Sequence, residues 1–164
     1  MPLLSFEPYA VRFRKTGNLI VMTPQAGVVV MMLECFFDTN TLVYLLSTDE
    51  PAKAARSEEL FRKGGLISVQ ILNEILTVTR RKLKMPFCDV RTFVTKVRTI
   101  CPVVPLTLEV HERGFDIAEA HGIGVYDSMV VAAAQLSGCS TLYSEDMQNG
   151  RVIGGLTIRN PYKP

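Results

Sequence analysis

Four acidic residues carry the chemistry this sequence could perform: Asp38, Glu74, Asp127 and Asp146. Asp38 follows the apolar segment Leu33–Phe37, and Asp146 follows Thr141–Leu142–Tyr143 by a few positions. Glu74 has Ile71 and Val78 at i−3 and i+4, which sets it beside an apolar stripe and off the basic face of Arg80, Arg81, Lys82 and Lys84. Asp127 opens the stretch containing Met129, Val130, Val131 and Ala132–Ala134, so it stands at the start of a buried helix, where the helix dipole keeps a carboxylate ionised. Hard oxygen donors from separate elements suit Mg²⁺ or Mn²⁺, which retain several waters and rarely need an all-protein cage. Such an ion can lower the pKa of a bound water, orient it for in-line attack on a phosphodiester and neutralise charge on the leaving oxygen. Each acid also has a plainer reading. Asp38–Thr39–Asn40 can cap the next helix, Glu74 can be a boundary residue reaching solvent, and Asp127 can be an N-cap.

The elements that must position these acids alternate. Leu33–Phe37 reads as a buried strand, followed by helical stretches over 40–46 and 52–63, the second stopped by Gly64–Gly65. A short strand at Leu66–Ser68 leads into a helix over Val69–Lys84, with Leu72, Ile75, Leu76, Thr79 and Leu83 on one stripe, ended by Pro86. Further helices are expected over 89–100, over 108–121 with Thr107 as cap and Gly122 as stop, and over 128–137 before Gly138. Short strands are expected at Val103–Val104, Thr141–Tyr143 and Leu156–Ile158. Short strands alternating with helices predict an α/β fold with a mainly parallel sheet, whose ligands collect at the carboxyl ends of the strands.

The ordered motifs resemble the PIN-domain ribonucleases, and within them the VapC-type toxins of prokaryotic toxin–antitoxin pairs. The residues that carry the resemblance are Phe36–Phe37–Asp38–Thr39–Asn40, Asn73–Glu74, Tyr126–Asp127–Ser128 and Leu142–Tyr143–Ser144–Glu145–Asp146–Met147, with a tail Leu156–Tyr162 similar to that of many such toxins. The resemblance covers about residues 32–162. It implies a PIN-like three-layer α/β/α fold and a metal-dependent endoribonuclease, with Asp38, Glu74, Asp127 and Asp146 as catalytic residues around Mg²⁺ or Mn²⁺. Asn40 and Ser144 match polar positions that orient the carboxylates. Family members often carry a further acid two positions after the fourth, where this chain has Gln148; Glu145 is an adjacent acid that could substitute. The resemblance further implies an RNA substrate, a homodimer, and a VapB-type antitoxin that lays a segment across the groove and places a basic side chain in the acidic site.

Other features carry less. His111–Glu112–Arg113–Gly114–Phe115 begins like HExxH, but Phe115 replaces the second histidine. Gly122–Ile123–Gly124 lacks the preceding strand and third glycine of a dinucleotide fingerprint. Arg80, Arg81, Lys82 and Lys84 form either a solvated helix end or, with Arg91, Lys96 and Arg98, a surface for the RNA backbone. Two alternatives to the nuclease stay open: a degenerate PIN-like module that binds RNA or protein without catalysis, and a haloacid-dehalogenase-like phosphatase. The second resembles Asp38–Thr39–Asn40–Thr41 but has Asn40 where its general acid should be.

Length and composition frame these readings. The chain has 164 residues, 48% hydrophobic and 21% charged, enough for one domain with a substantial core and incompatible with the composition of disorder. Of 18 basic and 16 acidic residues, Arg12, Arg14, Lys15 and Glu7 precede residue 34, so the remainder is formally neutral. Residues 1–31, punctuated by Pro and Gly, have no counterpart in the resemblance and are expected to be an N-terminal extension, with Met31 or Met32 as a candidate natural start; 32–164 form the expected domain. Four cysteines without a CxxC pair predict reduced thiols, and neither a signal peptide nor a membrane span is legible, so a cytoplasmic protein is expected.

Overall fold

The computed structural model describes the backbone of residues 10–13, 19–23 and 27–31, and residues 33–163 in full. The first three segments form an antiparallel meander, β1 (Ala10–Phe13), β2 (Leu19–Thr23) and β3 (Gly27–Met31), paired in the order β1-β2-β3. Glu7, Arg14, Lys15 and the candidate start Met32 lie outside the described residues.

The central sheet starts with β4 (Cys35–Phe37). It pairs in parallel with β7 (Thr141–Tyr143), which pairs in parallel with β9 (Leu156–Arg159). The edge strand β8 (Val152–Ile153) returns antiparallel against β9; it is too short and too flanked by glycine to be legible as a strand. On the other side, β5 (Ile67–Ser68) and β6 (Val103–Val104) pair in parallel. They extend the sheet through Leu66, whose carbonyl accepts from Phe37 N at 2.9 Å and whose amide donates to Cys35 O at 2.9 Å. The result is a mainly parallel sheet covered by helices on both faces, as expected. A parallel pair needs a crossover connection; helices supply it for β4–β7 and β5–β6, and the twelve-residue loop that carries β8 supplies it for β7–β9.

Those helices are α1 (Thr39–Val43), continued by a 3-10 turn at Tyr44–Leu46, α2 (Pro51–Lys63) and α3 (Val69–Arg81). After them come α4 (Phe87–Ile100), α5 (Leu108–His121) and α6 (Val125–Leu136). Local sequence explains their starts and stops. Ser68 and Thr107 cap α3 and α5 by accepting from Ile71 N and Val110 N, and Gly122 ends α5 in the left-handed conformation at φ +63°. Two boundaries depart from the expectation: α3 stops at Arg81, leaving Leu83 and Lys84 in a turn where Lys84 takes φ +54°, and α6 begins at Val125 with Gly124 as its cap, so Asp127 lies inside the first turn and caps nothing.

The core is one cluster in which Phe36, Leu142 and Ile158 of adjacent strands meet Ile71 and Ile75 of α3 and Val131–Ala134 of α6, all essentially without solvent contact. The small residues of α6 let it lie close against both the sheet and α5. At the α5–α6 crossing, a Cβ on buried Gly114 would stand 3.2 Å from Met129 Cα and 3.3 Å from Met129 N, which are backbone atoms that cannot rotate away. Gly114→Val is therefore expected to lower stability by about 1–3 kcal/mol through overpacking, read as a reduced urea midpoint. Because Met129 is two residues beyond Asp127, the same substitution should displace the start of α6. All four cysteines are free thiols, and burial pushes Cys101 and Cys139 up to about 12, leaving them inert.

Candidate active site

The carboxyl ends of β4 and β7 bring the acids together. Asp38 leaves β4 with its amide bonded to Tyr143 O at 3.0 Å and becomes the N-cap of α1, its Oδ1 accepting from Thr39 N at 2.7 Å. The capping role and a site role thus coexist in one side chain. Its other oxygen, Oδ2, accepts from the buried Ser144 hydroxyl at 2.6 Å. Ser144 Oγ in turn accepts from Met147 N at 3.3 Å, which fixes the turn that presents Asp146.

Glu74 enters from α3. Its Oε2 accepts from Thr39 Oγ1 at 2.6 Å and its Oε1 from Gln70 Nε2 at 2.9 Å. Thr39 therefore joins two acids, bonding Asp38 through its backbone and Glu74 through its side chain. Neither Thr39 nor Gln70 was singled out in the sequence, although Gln70 stands four residues before Glu74, the spacing that puts two helical side chains in reach. Asp146 is exposed and accepts from Asn40 Nδ2 at 3.2 Å, while Asn40 Oδ1 accepts from Glu145 N at 3.4 Å. Asn40 and Ser144 thus each hold an acid. Asp127 has no side-chain hydrogen bond among the described residues; its Oδ2 turns back toward Gly124 at the positive end of α6.

The charges of these groups act on one another. The Asp38 carboxyl is pushed up to about 6, by burial first and then by the negative charges of Glu74 and Asp127, against the opposing Ser144 and Thr39 hydrogen bonds. Asp127 is solvent-exposed overall, yet it too is raised, first by the partial burial of its surroundings and then by Glu74 and Asp146. No cationic side chain contributes to either shift. The edge is thus a concentration of uncompensated negative charge.

Glu145 is not part of it. Its carboxylate accepts from Lys53 Nζ at 2.7 Å and from Tyr44 OH at 2.6 Å, so the acid considered as a substitute is already engaged by α2 and the 3-10 turn. The basic group at the end of α3 is also divided. Arg80 stacks its guanidinium 4.1 Å from the Phe87 ring and donates to Met85 O, which ties α3 to α4. Arg81, Lys82 and Lys84 are exposed; contrary to the expectation that Glu74 stands off the basic face, Arg81 lies two turns beyond it on the same helix face, about 10 Å along the axis. His111 and His121 are both exposed and apart from the acids.

Among the described residues, no three Asp, Glu, His or Cys side chains converge closely enough to cage a metal ion. The donor set fits a hydrated hard dication instead. Mg²⁺ binds through one or two carboxylates and keeps its remaining waters, and each carboxylate oxygen that accepts one hydrogen bond retains a second lone pair.

This fold matches a known family. The PIN domain family model matches residues 35–152, and the chain belongs to that family. Membership removes the haloacid-dehalogenase alternative. No curated protein matches the chain at a significant level. Among solved structures, a toxin–antitoxin complex from Klebsiella pneumoniae aligns with a TM-score of 0.62 at 16% identity, covering 79% of this chain and 99% of that one. DNA-bound VapBC from Salmonella typhimurium aligns with a TM-score of 0.60 at 19% identity, covering 79% and 99%. VapC20 of Mycobacterium tuberculosis, described as a sarcin-ricin loop cleaving toxin, aligns with a TM-score of 0.58 at 18% identity, covering 68% and 89%. At these identities the likeness is one of fold. Among the described residues no helix is long and apolar enough to cross a membrane.

Proposed function

We propose that this chain is a divalent-metal-dependent endoribonuclease that hydrolyses RNA phosphodiester bonds, acting in the cytoplasm as the toxin of a VapBC-type toxin–antitoxin pair. The observation that carries the reading is the uncompensated carboxylate group at the ends of β4 and β7, drawn from four separate elements. In this reading residues 32–164 are the catalytic domain. Asp38, Glu74, Asp127 and Asp146 would hold Mg²⁺ or Mn²⁺. A bound divalent ion would supply an acidified, oriented water and offset the charge that builds on the phosphate.

The chain's own residues set the rest. Ser144 and Thr39 fix both oxygens of Asp38, Gln70 and Thr39 fix Glu74, and Asn40 fixes Asp146, so three acids are held before substrate arrives. Asp127 alone keeps its carboxylate free of side-chain partners among the described residues. It is the acid able to take a proton from the attacking water as the bond to the leaving ribose oxygen breaks.

A protein partner is supported by the surface. Leu108 and Phe115 on α5 are seven residues apart and 71% and 64% exposed, so this helix shows an uncovered apolar face, and Leu76 on α3 and Leu83 just beyond its end add 42% and 46% exposed side chains. A homodimer and an antitoxin would bury such faces, and the aligned structures include complexes named as toxin–antitoxin assemblies.

The test is cleavage of RNA by the purified chain in Mg²⁺ or Mn²⁺ and in excess EDTA, with the new RNA ends mapped. Metal-dependent internal cuts are expected; full activity in EDTA sinks the metal role, and absence of any cut sinks the enzyme. Glu145→Gln separates the two adjacent acids. Because Lys53 and Tyr44 occupy its oxygens, this substitution is expected to change the cleavage rate by less than about 3-fold, the effect of a partly exposed ion pair, whereas a metal ligand would cost far more.

A further inference from the structure

The carboxyl edge of the sheet carries a second feature, of opposite charge. Beyond the β7–β9 pair lies an open cavity of about 440 Å³ whose wall includes Arg56, Arg159, Lys163, Asn149, Asn160 and Tyr143, and no Asp or Glu. Strand alternation puts the cations there. Leu156 and Ile158 of β9 point into the core, so Thr157 and Arg159 face the cavity, and Arg159 stands level with Tyr143 of β7. Arg56 reaches in from α2, held by Glu59 and by Pro161 O. The Arg159 and Lys163 side chains make no hydrogen bond or ion pair among the described residues, although the Lys163 charge lies near enough to Glu145 to lower its carboxyl.

One loop borders both features. After β7, Ser144 and Asp146 join the acids, while Asn149 and Gly150 form part of the cavity wall. The loop is clamped to the end of β9 by Gly150 N to Ile158 O at 2.8 Å, Asn160 N to Asn149 Oδ1 at 2.8 Å and Asn160 Nδ2 to Glu145 O at 3.4 Å. An edge of uncompensated carboxylates repels a nucleic-acid backbone, so a strand lying across it needs cations fixed at a set distance from the acids.

We propose that this cavity binds a backbone phosphate of the RNA strand whose neighbouring phosphodiester lies at the acids, making Arg159 and Lys163 substrate-positioning contacts. The inference rests on the nuclease reading above and adds where the strand runs: from the acids across β7 toward β9. Binding is through backbone charge, because the wall shows cations and amides and one partly covered aromatic ring in place of a stacking platform.

The experiment compares the wild-type chain with Arg159→Gln/Lys163→Gln and with Arg159→Lys. Binding of a short single-stranded RNA is measured by fluorescence anisotropy over a salt series in EDTA, and cleavage is measured in Mn²⁺. The double substitution should flatten the slope of log K against log salt by about 1.4, at roughly 0.7 per lost phosphate contact. It should raise the KM for cleavage about 10-fold with kcat within 2-fold, while Arg159→Lys keeps the wild-type slope. An unchanged slope and KM overturn the proposal and leave the nuclease standing. A wild-type chain that shows the cavity-dependent slope yet cuts nothing retains the phosphate site and removes the nuclease. A third arm, thermal shift with inorganic phosphate, separates the sources. Phosphate stabilisation lost in the double variant without any change in RNA binding marks a free-anion pocket and overturns the RNA contact.

Discussion

Asp127→Asn is expected to reduce RNA cleavage by about 10³-fold or more while leaving the chain folded, because removing one charged group from such a site costs on the order of 10²–10³ and in the proposed reading this one would also act as base. The two halves of that expectation have separate causes. Among the four acids, Asp127 alone has no side-chain hydrogen bond among the described residues, so its amide breaks no network. Losing an acid in the first turn of α6 costs about 0.3–1 kcal/mol of helix-dipole energy. Relief of its repulsion with Glu74 and Asp146 offsets part of that. Activity and thermal unfolding measured on the same preparation read both halves. Equal cleavage by wild type and variant would remove Asp127 from the chemistry, whereas a collapse of the melting temperature would show that its role is structural.

The second large effect is on stability and changes with pH. Asp38 titrates near 3.8 in an unfolded chain and near 6 in the folded one, through burial first and the charges of Glu74 and Asp127 after it. Between these values the folded state holds a proton that the unfolded state has released. The stability this provides is complete below about pH 4 and is lost as pH rises through 6, on the order of 3 kcal/mol in total. Asp38→Asn has no charge to bury, and its oxygen and amide can still meet Thr39 N and Ser144 Oγ. In EDTA the variant should therefore match the wild type near pH 4 and exceed it at pH 8, read as urea unfolding free energy. Saturating Mn²⁺ should restore the wild type at pH 8, by about 2.7 kcal/mol at a hundredfold excess over Kd, and do little for the variant. Parallel pH profiles for the two chains in EDTA would show that the Asp38 charge is relieved in some other way.

Part of this was open to reading in the residues themselves. The alternation of short strands and helices was visible because burial imposes its period locally, and caps such as Ser68, Thr107 and Gly122 mark element ends through hydrogen bonds made within one turn. The start of α6 departs from the local pattern for the same reason: Asp127 is a good capping residue by type, but Gly124 takes the cap and Asp127 stands in the first turn, where Glu74 and Asp146 act on its charge. Strand β8 was missed because two residues carry no period, and only pairing with β9 makes them a strand.

The four carboxylates were fixed by the sequence in identity and in order, since each follows or borders an apolar element whose own pattern is local. What they do to each other was decided only by the tertiary structure. Thr39, whose amide Asp38 caps, meets Glu74 across 35 residues, and Asn40 meets Asp146 across 106, contacts set by strand order and by no spacing along the chain. The same holds for Glu145, an acid by composition that folding assigns to Lys53 and Tyr44, and for Arg159, which parallel pairing with Tyr143 brings to the edge where the acids stand. Residue type and periodicity are properties of neighbours in sequence. Charge coupling and hydrogen-bond partnership depend on distance in space, which the packing of the sheet and its helices sets.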